Sequence, residues 1–159
     1  IFSANGIRGY LCESLRPTPE ISFAIRQLGC QSGVNITASH NPKEYNGYKA
    51  YWDDGAQVLA PHDKGIIDEV NKVQIEDVKF TPNKELITII GGEMDYDYLE
   101  AVKEAMVDQD VILRQKDLNI VYSPLHGTVL LFLYVFVLGD SKISMLFLNK
   151  WLLMVISLL

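Results

Sequence analysis

An α/β fold with a mixed sheet is the class this sequence predicts, on three observations. Short β-type runs alternate with segments of helical spacing, in the order strand, helix, strand, hairpin, helix, helix, strand. The 159 residues are 48% apolar and 21% charged, the balance of a globular chain with a core of its own. No internal repeat or low-complexity tract interrupts residues 1–128.

Residues 6–12, "GIRGYLC", form a plausible first strand. The helix signal in "LRPTPEISFAIRQLG" is stronger: Thr18 can cap, Pro19 suits the first helical position, and Glu20 favours the positive end. Ile21, Ala24, Ile25 and Leu28 then fall on one stripe, and Gly29 stands where a helix would stop. "GVNITA" reads as a second strand, joined to the first by a crossover of right-handed type. "GYKAYW" alternates, ends at the turn signal Asp53-Asp54-Gly55, and expects "AQVLA" as its hairpin partner. Pro61 opens a helix over "DKGIIDEVNKV". Residues 74–92 read as a polar connector, "DYDYLEAVKEAMV" as a helix, and "DLNIVYS" as a last strand.

The formal net charge of −6 argues against a nucleic-acid partner, which needs a basic face, but not against small anions. Cys12 and Cys30 lack metal-type spacing and read as two reduced thiols in a cytoplasmic protein. The chain begins at Ile1 without a basic-then-apolar leader, so a fragment is expected and a secretory signal is not. Oligomeric state is left open.

The chemistry concentrates where the second strand breaks, in "NITASHNPKEYNGYKAYW". Ligands of open α/β sheets bind beyond the carboxyl ends of the strands, and Ser39 lies just past one. A serine hydroxyl needs a base, a metal or a preorganised phosphate site to act. His40 is adjacent, and Lys49 follows across a loop short enough to fold back; either can take a proton or stabilise phosphate charge. Asn41-Pro42 fixes the loop's exit, and exposed amides around it are expected to cradle an anion. A simple capped turn is the competing reading. A hydrolase elbow and a Gly-x-x-x-x-Gly-Lys-Ser/Thr phosphate loop are both missing from the sequence.

"LRPTPE", "ITASHNPKEYNGYKAYWDDGAQVLAPHDKGI" and "VYSPLHGT" together resemble the α-D-phosphohexomutase family, its phosphoglucomutase and phosphomannomutase members, over roughly residues 1–128. The resemblance implies an α/β/α first domain and an isomerase that interconverts hexose 1-phosphate and hexose 6-phosphate. By position, Ser39 matches the serine that carries the phosphoryl group, and its phosphate is also a ligand of Mg²⁺. His40 matches the neighbouring active-site histidine, and Lys49 the lysine assigned as general acid or base. A hexose phosphate substrate, Mg²⁺ and a hexose 1,6-bisphosphate activator are implied with them. "GIRG" lies too close to Ser39 to be the family's N-terminal motif, so Arg8 is read as structural.

The other family loops are missing: the acidic Asp-x-Asp-x-Asp-Arg metal loop, the sugar-reading loop and the phosphate-binding loop. Residues 1–110 are therefore expected to be a partial first domain and 111–128 the start of a second, with 129–159 a non-family tail. That tail has 23 apolar residues of 31 and carries Lys142 and Lys150 against Asp140, whereas residues 1–128 carry 12 Lys and Arg against 19 Asp and Glu. It reads first as an aberrant product of frameshift, read-through or truncation. A membrane segment fits less well, because "VLLFLYVFVL" is too short to span and Lys150 breaks the later run. A buried helix, apolar all round, is the third reading. The chain alone is expected to be an inactive part of the enzyme; the alternative is a non-catalytic fragment that binds sugar phosphate or nothing.

Overall fold

The computed structural model describes residues 1–39, 41–108, 110, 114, 120–122 and 154–156. His40, the residues after Tyr122 that match the family, and the tail apart from Met154–Ile156 lie outside them. The chain divides into two compact units, Ile1–Ser14 with Thr18–Met94, and Leu15–Pro17 with Asp95–Leu159.

In the first unit a 3₁₀ turn at Ser3–Asn5 ends in left-handed Gly6, and strand β1 runs over Gly9–Cys12. This strand is shorter than the sequence predicts, because the chain is still turning at Gly6. Helix α1, Thr18–Gln27, forms as expected, with Ala24 and Ile25 buried and Ile21 and Leu28 half-buried along one stripe. Its end is a Schellman motif: Cys30 N–H donates to Ile25 O, Gly29 N–H donates to Arg26 O, and Gly29 takes φ 63°.

Strand β2, Ser32–Thr37, pairs antiparallel with β3, Gly47–Trp52, in the register Gly33–Tyr51, Asn35–Lys49 and Thr37–Gly47. α1 packs on one face of this hairpin. Gly33 is what permits the approach, since a Cβ there would stand 2.3 Å from the Ile25 Cδ1 methyl. Tyr51 and Val58 complete the core beside Ala24, Ile25 and Met94. The turn after β3 closes as expected, with Gly55 N–H donating to Trp52 O, but residues 56–60 add only the bridge Tyr51–Gln57 rather than a full strand. Helix α2, His62–Val70, buries none of its residues.

The connector expected over residues 74–92 instead contains a strand, β4, Ile87–Ile90, parallel to β1 with Gly9 opposite Ile87. The four-residue run Ile-Thr-Ile-Ile, bounded by Gly91-Gly92, is the β-branched signal that the surrounding polar residues obscured. The unit thus carries parallel and antiparallel pairs, as a mixed α/β domain should. They are separate pairs, β1–β4 and β2–β3, so β1 and β2 share no ladder and the expected β1–α1–β2 crossover is not formed between hydrogen-bonded neighbours.

Helix α3 spans Gly92–Glu104, starting three residues earlier than its spacing suggested. In the second unit Leu99 is buried, and the Arg16 guanidinium forks onto Asp95, Nε donating to Oδ1 at 2.5 Å and Nη2 to Oδ2 at 2.8 Å. Strand β5, Ile120–Tyr122, falls within the last predicted strand and pairs antiparallel with β6, Met154–Ile156. Both cysteines are free thiols, and burial pushes the Cys30 thiol up. Arg8 is exposed and makes no hydrogen bond or ion pair among the described residues, which gives its structural reading no support.

Candidate active site at the β2–β3 hairpin

α1 runs antiparallel to β2. Its C-terminal part meets Gly33 through Ile25, while Thr18, its first residue, meets Asn35, whose Nδ2 donates to Thr18 Oγ1 at 2.8 Å. The positive end of the helix therefore lies toward the end of β2 from which the Ser39 loop leaves. That is the arrangement in which a sheet and a helix N-terminus favour an anion at one edge.

Alternation along the strands then sorts the side chains. Gly33, Asn35 and Thr37 share the α1-facing side of the hairpin, and the register puts Lys49 and Tyr51 there too. Tyr51 is buried and Lys49 half-buried. Val34, Ile36, Tyr48 and Trp52 occupy the other face, where Ile36 and Tyr48 are exposed and the half-open Trp52 ring meets His62 edge-on at 5.5 Å between centroids.

Ser39 is exposed and sits two residues beyond the last pair, Thr37–Gly47, while Lys49 stands two residues inside it. Both belong to one short hairpin, as the Asn46-Gly47 loop suggested. Ser39 is the one described non-glycine residue with positive φ, 55°. A left-handed conformation costs a residue with a Cβ on the order of 1 kcal/mol, so the surroundings must impose it. Two bonds do so. Ser39 N–H donates to Thr37 Oγ1 at 3.0 Å, and Asn41 N–H donates to Ala38 O at 3.0 Å, closing a tight turn around the serine. Pro42 follows in extended backbone, φ −53° and ψ 147°, and its carbonyl accepts from Tyr45 N–H at 3.0 Å to seat a 3₁₀ turn.

The amides of Ser39 and Asn41 are committed within the loop and so take no part in the expected anion cradle. Thr37 and Asn35 are the residues that reading the sequence missed. The Thr-x-Ser spacing, with a hydroxyl two residues before a turn residue, was the available signal for Thr37.

Among the described residues no group of three or more His, Cys, Asp or Glu comes together that could hold a metal ion. A phosphate on Ser39 would supply one oxygen, whereas magnesium calls for an octahedral set of hard donors. The described residues by themselves do not fit that ion.

The sequence pattern of phosphoglucomutase/phosphomannomutase, alpha/beta/alpha domain I, matches residues 1–77, which include the whole β2–β3 hairpin and α1. A phosphopentomutase of Homo sapiens is 36% identical over 131 residues, covering 79% of this chain and 21% of that protein. The chain belongs to the α-D-phosphohexomutase family. A phosphoglucomutase of Staphylococcus epidermidis is likewise 36% identical over 136 residues, covering 80% of the chain and 24% of the enzyme. A probable phosphomannomutase of Haemophilus influenzae is 32% identical over 130 residues, covering 80% and 26%. The phosphohexomutase chain thus spans about a fifth to a quarter of the length of the curated relatives it matches.

Proposed function

We propose that this chain is the phosphoserine-bearing part of a phosphohexomutase that interconverts hexose 1-phosphate and hexose 6-phosphate. The carrying observation is the pinned, exposed, left-handed Ser39 at the mouth of a hairpin that also holds Lys49. In this reading Ser39 Oγ carries the phosphoryl group. A sugar hydroxyl attacks the phosphorus, the bond to Ser39 Oγ breaks, and the hydroxyl proton passes to the Lys49 amine. The resulting bisphosphate then returns its other phosphoryl group to Ser39 Oγ, with the proton given back. His40 belongs beside this group by sequence. Such transfer depends on placement and charge neutralisation more than on covalent novelty. Mg²⁺, once completed by donors from elsewhere, would polarise the phosphate oxygens, and hexose 1,6-bisphosphate would prime the serine.

The names of the relatives, which include a phosphopentomutase and a probable phosphoribomutase, support a phosphorylated sugar as substrate. A cytoplasmic location suits such a substrate; no helix among the described residues is long and apolar enough to cross a membrane. In this reading residues 1–110 belong to the first domain and 111–128 to the second.

The test is mass spectrometry of the complete enzyme after incubation with glucose 1,6-bisphosphate. Phosphate is expected on Ser39 and is lost in Ser39→Ala; phosphate that persists elsewhere in Ser39→Ala removes the serine from the mechanism. The chain alone should convert glucose 1-phosphate negligibly in a coupled assay, because each missing preorganised donor is worth about 3–4 kcal/mol of transition-state stabilisation. Brisk turnover would show that the missing loops are dispensable. A second reading, a fragment that binds sugar phosphate without chemistry or binds nothing, predicts no label on Ser39.

A further inference from the structure

We propose that Thr37 is a positioning residue for Ser39: its hydroxyl oxygen, by accepting the Ser39 amide, fixes the peptide plane from which the left-handed serine departs and ties the loop back to β2. The inference rests on the reading of Ser39 as phosphoryl carrier, but its structural content stands on three observations. Ser39 has φ 55° without the freedom of glycine. Its N–H donates to Thr37 Oγ1 at 3.0 Å. Thr37 is itself fixed, as the last residue of β2 and the partner of Gly47 in the ladder. The hydroxyl is therefore a rigid acceptor at the end of a strand, and the loop beyond it is tied back to that strand.

The chemistry needs such a tie. Ser39 is exposed, so water competes for its amide, and an extended serine would continue the strand away from the turn. Transfer between an oxygen and a bound sugar requires both partners to hold place through the reaction. The turn bond from Asn41 to Ala38 closes the loop. The Thr37 hydroxyl anchors its first peptide plane to the strand. It also consumes the Ser39 amide.

The experiment uses the full 159-residue chain, ¹⁵N-labelled, with solvent exchange of the Ser39 amide read by NMR. Thr37→Val keeps the β-branched shape and removes the acceptor. It should speed Ser39 exchange by about two- to tenfold, the factor that a hydrogen bond of ordinary net strength supports. Amides of β2 before Thr37 should be unmoved. Thr37→Ser restores the hydroxyl and should return exchange to within about twofold of the parent value. Equal exchange at Ser39 in the parent, valine and serine variants overturns the proposal, as does a valine effect spread evenly along β2. None of these readouts needs turnover. A complete enzyme that never acquires phosphate on Ser39, while this chain shows the exchange pattern, refutes the mutase reading and leaves the tie itself in place.

Discussion

Arg16 and Asp95 form an enclosed charged contact, with side chains 1% and 8% exposed. Two parallel N–H donations satisfy both carboxylate oxygens, so the charges compensate one another where water cannot. Removing the carboxylate takes two charge-assisted bonds from a buried guanidinium. Asp95→Ala should destabilise the second unit by about 3–5 kcal/mol in urea titration, whereas replacing both by apolar residues of similar volume should cost far less. Equal losses in the single and double variants would show that packing, not charge, sets the cost. The exposed pair Lys64–Asp68 on α2 offers the contrast: Lys64→Ala should change stability by less than about 0.5 kcal/mol. At Lys49 the expected effect is on chemistry. In the complete enzyme Lys49→Met should slow sugar turnover while phosphate on Ser39 stays detectable by mass spectrometry, and unchanged rates would remove the amine from the mechanism.

The hairpin and α1 were readable in the sequence because several signals agreed there. Pro19 at a helix start, a four-residue apolar stripe, a stop glycine and two alternating runs all specified the same local structure, and Ser39 and Lys49 came with them. β4 was not readable because its three isoleucines are too few to stand out from a polar stretch; its partner is β1, far away in sequence, and only that pairing defines it. Likewise the Asn35–Thr18 bond joins two elements and leaves no mark on either alone. The same packing makes a prediction at Gly33. Gly33→Ala would drive a methyl into the buried Ile25 side chain and should cost about 1–3 kcal/mol by thermal or urea unfolding. A neutral effect would mean that Ile25 has room to turn aside.

Across the first unit, apolar side chains remain open on several elements: Leu11 and Ile89 on the parallel pair, Ile36 and Tyr48 on the outer side of the hairpin, Ile67 and Val70 on α2. Parallel strands are ordinarily covered on both faces, and β1–β4 is not. A chain with so much uncovered apolar surface should bind a solvatochromic dye such as ANS in its folded state. Changing Ile36 and Tyr48 to serine should reduce that fluorescence without lowering Tm, since neither side chain lies in the core; a fall in Tm would show that they are covered in solution.

The two strand pairs also differ in how far apart their partners lie along the chain. Thr37 meets Gly47 across ten residues, but Gly9 meets Ile87 across seventy-eight. By the logarithmic dependence of loop closure on length, bringing β1 to β4 costs about 2 kcal/mol more chain entropy than starting the hairpin. The β2–β3 ladder can therefore assemble while β4 is still emerging from the ribosome, and the serine-bearing turn is set before the N-terminal strand has anything to pair with. Pulse-labelled hydrogen exchange during refolding should protect the ladder amides of Asn35 and Lys49 ahead of that of Glu13, which donates to Ile90.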